Sequence, residues 1–199
     1  MKHLFLLLIA AGSLTVSCTR KATEMPVPAP KPAPELIVTN LNNYEIKYQQ
    51  RGITLDVNSD TRADIFFGVQ LIGDPVFKVD KRQFVVFSGP FTALPVNSIE
   101  QVIPLNANEL IPLHPFNNSQ WYEASEIVLM ERNDFETGTI VWRGNWIDKG
   151  KKYLPFQHVH LNRRYNGWVE LTAEQAEEKI VLHRMAISKE PEVEVKAGN

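Results

Sequence analysis

From Glu35 onward the chain is divided into short apolar runs of strand-like length with turn residues between them. The runs are rich in Val, Ile, Phe, Tyr and Trp and fall at 35–41, 45–49, 53–57, 64–72, 76–79, 83–88, 99–105, 126–131, 139–147, 153–164, 168–171 and 180–187. β-Branched and aromatic side chains suit a pleated, half-buried surface, and stops this frequent leave little room for helices of ordinary length. Alternation supports strands. Ile53, Leu55 and Val57 share one face opposite Thr54 and Asp56, and Ile140, Trp142 and Trp146 share one opposite Arg143 and Asn145. The pattern predicts an all-β domain, an antiparallel β-sandwich rather than a set of βαβ units.

Local signals add detail. Asn166-Gly167 sits between two β-prone runs and predicts a two-residue type I′ hairpin turn, because both central residues of that turn need positive φ; Tyr165 and Trp168 would then pair across the strands. Thr172-Ala173-Glu174-Gln175 has the spacing of a capping box and predicts one short helix near the C-terminus, ending at about Lys179. In the last strand, Val181, Met185 and Ile187 share a face. Residues 190–199 are polar with one proline and read as a disordered tail. Residues 104–120 contain three prolines and four asparagines without periodicity, a long loop that is either functional or a crossover between sheets.

Residues 1–34 have a different character. Lys2 precedes an apolar run from Leu4 to Ala11, followed by Leu14-Thr15-Val16-Ser17 and Cys18, the only cysteine. This run is well short of the roughly 20 residues needed to cross a bilayer, so residues 1–17 read as a secretory signal peptide. Ser17-Cys18, with Leu14 before it, resembles the lipobox of bacterial lipoproteins, the leucine standing one place further from the cysteine than in the usual pattern. The resemblance implies that the Cys18 thiol is diacylated, that the peptide before it is removed, and that the new amino terminus is acylated as well. Two or more acyl chains make a stable anchor, so the membrane would be reached through Cys18 alone. Thr19, where retention in the inner membrane calls for aspartate in enterobacterial lipoproteins, implies the outer membrane. An ordinary signal peptide cut near Ser17 and a membrane stub are the alternatives. Residues 18–34 are then the lipidated N-terminus and a tether, with proline at every second position from Pro26 to Pro34. Such a segment favours polyproline II and spans roughly 28 Å at about 3.1 Å per residue. A single β domain over 35–189 follows.

The formal net charge is −2, and no run of basic residues provides an electrostatic footprint for nucleic acid. A lipidated Cys18 leaves no thiol for disulfides, cysteine metal sites or a cysteine nucleophile. The sequence has no zinc-type cysteine pattern, phosphate loop, Gly-x-Ser-x-Gly elbow, His-Glu-x-x-His or calcium loop, and no cofactor is expected. One constellation has chemical potential: Gln157-His158-Val159-His160. Positions two apart on a strand point the same way, so His158 and His160 could share a metal, with His183, Glu170 or Asp148 as a further ligand. The competing reading places Val159 and Leu161 in the core and both histidines on the solvent side. Trp121, Trp142, Trp146 and Trp168 are candidates for a sugar-stacking platform, against ordinary core packing with one N–H partner each.

Anchor, spacer, small β domain and missing catalytic motifs together point to a non-enzymatic lipid-anchored envelope protein. It would be a structural or adaptor subunit of a cell-envelope or secretion complex, offering edge strands and loops to other envelope proteins. In general layout, that of a transthyretin- or immunoglobulin-like sandwich, it is similar to small accessory lipoproteins of secretion machines, such as the transthyretin-like sandwich lipoprotein of type VI secretion systems. This likeness is one of layout, with no shared motif. Two other classes stay open: a surface carbohydrate-binding lipoprotein using its tryptophans, and a metal-dependent enzyme built on His158 and His160. The sequence does not fix the oligomeric state.

Overall fold

The structure, a computed structural model, describes residues 32–199. The signal segment, Cys18 and most of the tether lie outside these residues. Thirteen strands follow in chain order: β1 (Leu36–Lys47), β2 (Ile53–Leu55), β3 (Ile65–Asp74), β4 (Val79–Ser88), β5 (Thr92–Asn97), β6 (Leu110–Ile111), β7 (Ser119–Glu123), β8 (Glu126–Phe135), β9 (Ile140–Arg143), β10 (Lys152–His160), β11 (Arg163–Glu174), β12 (Lys179–Ser188) and β13 (Val195–Lys196). One sheet has the order β1-β12-β11-β10-β5-β7, a second β2-β3-β4-β8-β9, and β13 pairs with β6 on its own. All the ladders are antiparallel. The fold is the expected all-β sandwich, without a closed barrel.

Two apolar layers hold it together. Phe67, Phe84 and Leu129 of the five-stranded sheet pack between the sheets against Leu154, Phe156, Val169, Leu171 and Leu182 of the six-stranded one. Removing a side chain of this size from water contributes roughly 1.5–3 kcal/mol. The outer face of the six-stranded sheet is covered as well: Tyr153 and Trp168 meet edge-on with centroids 5.2 Å apart, buried with Leu105, Ile111, Val195 and Ala197. That cover is the loop over 104–120 joined to the C-terminal residues through β6 and β13.

Residues 190–199 are therefore not the disordered tail that their polar composition suggests. Val195 and Ala197 are buried, and Gly198, at φ +82°, lies so close to the Tyr153 ring that a Cβ would come within 2.7 Å of it. Arg184 donates an N–H to the Gly198 carbonyl at 3.3 Å. A few apolar contacts fix a segment whose average polarity hides them.

The turn expected at Asn166-Gly167 lies instead at Leu161-Asn162, both with positive φ, where His160 pairs with Arg163. Asn166 sits within β11 because its buried amide is satisfied on both sides. Its Oδ1 accepts from Gln157 Nε2 at 2.9 Å, and its Nδ2 donates to the Ile111 carbonyl at 2.9 Å.

The short helix near the C-terminus is absent. Thr172 to Glu174 continue β11, residues 175–178 turn, and β12 begins at Lys179. Capping geometry is pre-empted, since Thr172 Oγ1 bonds His183 Nε2 at 2.8 Å and the Gln175 N–H goes to Asp148 Oδ1 at 3.1 Å. A register shift opposite Glu170 and Leu171 changes the parity of β12, so Ile180 and Leu182, then Met185 and Ile187, face the main core. Val181 consequently does not share their face. Next to this turn Arg82 and Arg132 both pair with Glu178 and Asp134, tying the two sheets together at one end.

Candidate functional site

Asp56, Asn58, Asp60, Arg62 and Asp64 alternate along the segment between β2 and β3. Asx side chains bend a chain by accepting its own N–H groups. Asp56 accepts from Asp60 at 3.1 Å and Thr61 at 2.7 Å, Asn58 Oδ1 from Asp60 at 3.0 Å, and Asp60 from Arg62 at 2.9 Å. Asp64 closes the loop by accepting the Val57 N–H at 2.8 Å, and its carbonyl accepts from Gly89 at 2.7 Å. The result is a rigid loop lying against the end of β10.

Alternation along β10 puts Leu154, Phe156 and His158 on one face, so the first histidine is carried between the sheets. This corrects the expectation of solvent-side histidines over a Val159–Leu161 core for the first of the pair: His158 is 3% exposed and Leu161 occupies the turn, whereas His160 is exposed as expected. His158 Nε2 lies 2.9 Å from Asn58 Nδ2, and Nδ1 lies 3.0 Å from Thr92 Oγ1 and 3.7 Å from Asp64 Oδ1. An amide nitrogen only donates, so Nε2 is the acceptor and the ring proton sits on Nδ1, facing Thr92 and Asp64. Burial pushes His158 below its ordinary pKa, partly opposed by the Asp64 charge; burial pushes Asp64 up, partly opposed by the Val57 N–H. Hydroxyl and carboxylate stand at the same ring nitrogen, whereas a nucleophile relay needs them at opposite ones. Thr92 is also fully buried. This cluster has the geometry of a latch between loop and sheet.

Two cavities of about 330 and 220 Å³ adjoin the latch, and Asp60 and His160 line both. The larger is rimmed by Phe91, in the turn between β4 and β5, and by Leu161. Phe91 has φ 67° and is 55% exposed; Leu161 has φ 49° and is 83% exposed. They are the two large apolar side chains among the described non-glycine residues with positive φ. Such a conformation costs about 1–3 kcal/mol, and a side chain left in water recovers none of it by burial. Asp60 and Arg62 lie side by side in the same cavity, and neither makes an ion pair among the described residues. The Arg62 N–H first, and then the Asn58 amide, hold the Asp60 carboxyl below its usual pKa.

Of the candidate site residues named in the sequence, only His158 and His160 meet at this cleft. His183 is held on β12 by Thr172 and, at 2.7 Å from Nδ1, by Asn43 Oδ1. Glu170 is buried in ion pairs with Arg184 and Lys151. Among the described residues no three His, Cys, Asp or Glu side chains are grouped to hold a metal ion. The tryptophans do not form a platform. Trp146 and Trp168 are buried, while Trp121 and Trp142 lie on the outermost strands of different sheets. Trp146 reaches the core from beyond the end of β9 and donates its indole N–H to the Val102 carbonyl at 3.1 Å.

Phe91, Asn58 and Arg62 escaped the sequence reading, and Leu161 entered it only as a core residue. The Asp56-x-Asn58-x-Asp60 alternation is a visible turn signal and Gly89-Pro90 marks another, yet nothing in the sequence says that the two turns meet.

A second exposed feature lies at the other end of β3. The turn between β3 and β4 holds Val76 and Phe77, 81% and 73% exposed, and Leu71 and Ile72 on β3 are exposed beside it. The length of β3 separates this tip from the cleft by about 30 Å. Comparison with known protein families, with curated proteins and with solved structures finds no match to this chain.

Proposed function

We propose that the chain is a non-enzymatic, lipid-anchored protein of the bacterial cell envelope, held in the outer membrane by acylated Cys18 and acting as a structural or adaptor subunit of an envelope or secretion complex. The observation that carries this reading is the apolar tip of the β3–β4 hairpin. Four large apolar side chains on one hairpin, two of them almost wholly in water, are what a protein–protein contact uses and what a solitary domain avoids. Ile37, near the start of β1, lines the smaller cavity with Asp60 and His160, so the chain enters the sandwich at the cleft end and the hairpin tip is the end away from the entry. An adaptor on a stiff tether benefits from that polarity. A photo-crosslinking residue in place of Phe77 in intact cells should yield an adduct with another envelope protein, whereas the same residue in place of exposed Glu190, next to Lys189 at the cleft end, should not. Recovery of the protein alone from both positions would sink the adaptor reading.

A further inference from the structure

We infer that the larger cleft is a saccharide site that takes a neutral pyranose, an inference independent of the hairpin tip and of the anchor. Its rim is built against local preference. Turn positions with positive φ favour asparagine or glycine, yet here they hold Phe91 and Leu161, exposed on the same cavity of about 330 Å³. Residues kept in a conformation that the local chain disfavours mark places where function has overridden stability.

The floor sets the ligand's charge. Asp60 accepts hydrogen bonds, Arg62 donates them, Asn162 and His160 do both, and among the described residues neither Asp60 nor Arg62 makes an ion pair. A carboxylate ligand drawn to Arg62 would also meet the like charge of Asp60, and an ammonium drawn to Asp60 that of Arg62. A wholly apolar ligand would strip water from both charges and return nothing. A hydroxyl group donates to the carboxylate and accepts from the guanidinium at once, so a molecule carrying several adjacent hydroxyls satisfies the whole floor. A pyranose adds an apolar C–H face, which suits the Phe91 ring and the Leu161 side chain. The cavity has the volume of a small-ligand site. His158 lies beneath with both ring nitrogens engaged, holding the loop that carries Asp60 rather than the ligand.

The test is a titration of the ¹⁵N-labelled full chain, in a detergent without sugar head groups, with glucose, galactose, mannose and N-acetylglucosamine. Glucuronate, glucosamine and acetyl-leucine amide serve as anionic, cationic and apolar probes. At least one neutral sugar should give saturable amide shifts at Phe91, Leu161 and Asn162 with Kd on the order of 1 mM. Its charged counterparts should bind about fivefold more weakly or worse. Phe91→Ala should weaken binding about tenfold, with Phe91→Tyr restoring it, and an unchanged spectrum elsewhere showing that the fold persists. Absence of saturable shifts with every neutral sugar overturns the inference, as do equal affinities for charged sugars or binding of acetyl-leucine amide in their place. The Phe77 crosslink reports on the adaptor reading alone, so either idea can fail without the other.

Discussion

Gly167 lies directly beneath the ring of Phe156 on the neighbouring strand: a Cβ at Gly167 would fall 2.3 Å from Phe156 Cζ and 2.4 Å from the Ala186 carbonyl oxygen. The glycine serves close approach of β10, β11 and β12, since its φ is that of an ordinary strand residue. Gly167→Ala should therefore overpack the main core and lower the unfolding free energy by about 1–3 kcal/mol, read from the urea midpoint. An unchanged midpoint would mean that Phe156 has room to move.

That pair also shows what the sequence could and could not reveal. Composition and punctuation made the all-β sandwich legible, because strand length and β-prone side chains are local properties. Asn166-Gly167 misled because a glycine demanded by a neighbouring strand looks the same as one demanded by a turn. The missing helix failed for a similar reason: Thr172 has a capping spacing, but its hydroxyl is taken by His183, eleven residues on. Of the cleft, the histidine pair was visible as a spacing. Its burial and its partners Asn58, Asp64 and Thr92 depend on which loops the fold brings together, and no local pattern encodes that.

Leu161 sets up a prediction of opposite sign. It occupies a left-handed turn position with its side chain in water, so it makes no packing contribution that a polar residue would lose. Leu161→Asn should raise stability by about 1 kcal/mol, measured by chemical denaturation. A loss of stability instead would show that the exposed leucine packs in some way its surroundings do not reveal.

The latch gives a pH dependence whose sign depends on the residue. Burial lowers the folded-state pKa of His158 below its ordinary 6.5, so on acidification the unfolded chain takes up that proton first. The stability it supplies is complete above the unfolded value and is lost as pH falls below it. Asp64 acts in the opposite sense, because burial raises its folded pKa above 3.8 and stability is gained as pH falls through the raised value. His183 is also lowered, by burial first and then by the Lys151 charge, and adds to the His158 trend. Comparing wild type with His158→Gln removes the histidine's titration together with its pull on Asp64. The stability difference in favour of the wild type should shrink as pH is lowered from about 8 to about 5.5, and a constant difference would show that His158 does not titrate in this range.

At the other end of the chain, β13 should behave as part of the fold. Val195 is buried beside Trp168, whose indole lies under Arg184 at 5.1 Å. Val195→Ala should cost roughly 1–2 kcal/mol. Ending the chain at Glu194 should cost more and shift tryptophan emission to the red as Trp168 meets water. Emission identical to that of the full chain would mean that the loop over 104–120 covers Trp168 without help.

The anchor is tested by its thiol. Acylation requires the Cys18 sulfur, whereas export requires only the apolar run before it, so Cys18→Ser should be secreted but not lipidated. It should move from the membrane fraction to the soluble periplasmic one while keeping the circular dichroism of a cooperative β protein. The main core lies entirely beyond Glu35, from Leu41 to Ile187, and the second core begins at Leu36. Labelled palmitate should enter the wild type and not the variant. Wild type without label, or a variant that stays with membranes through a high-salt wash, would remove the lipid anchor and with it the outer-membrane location.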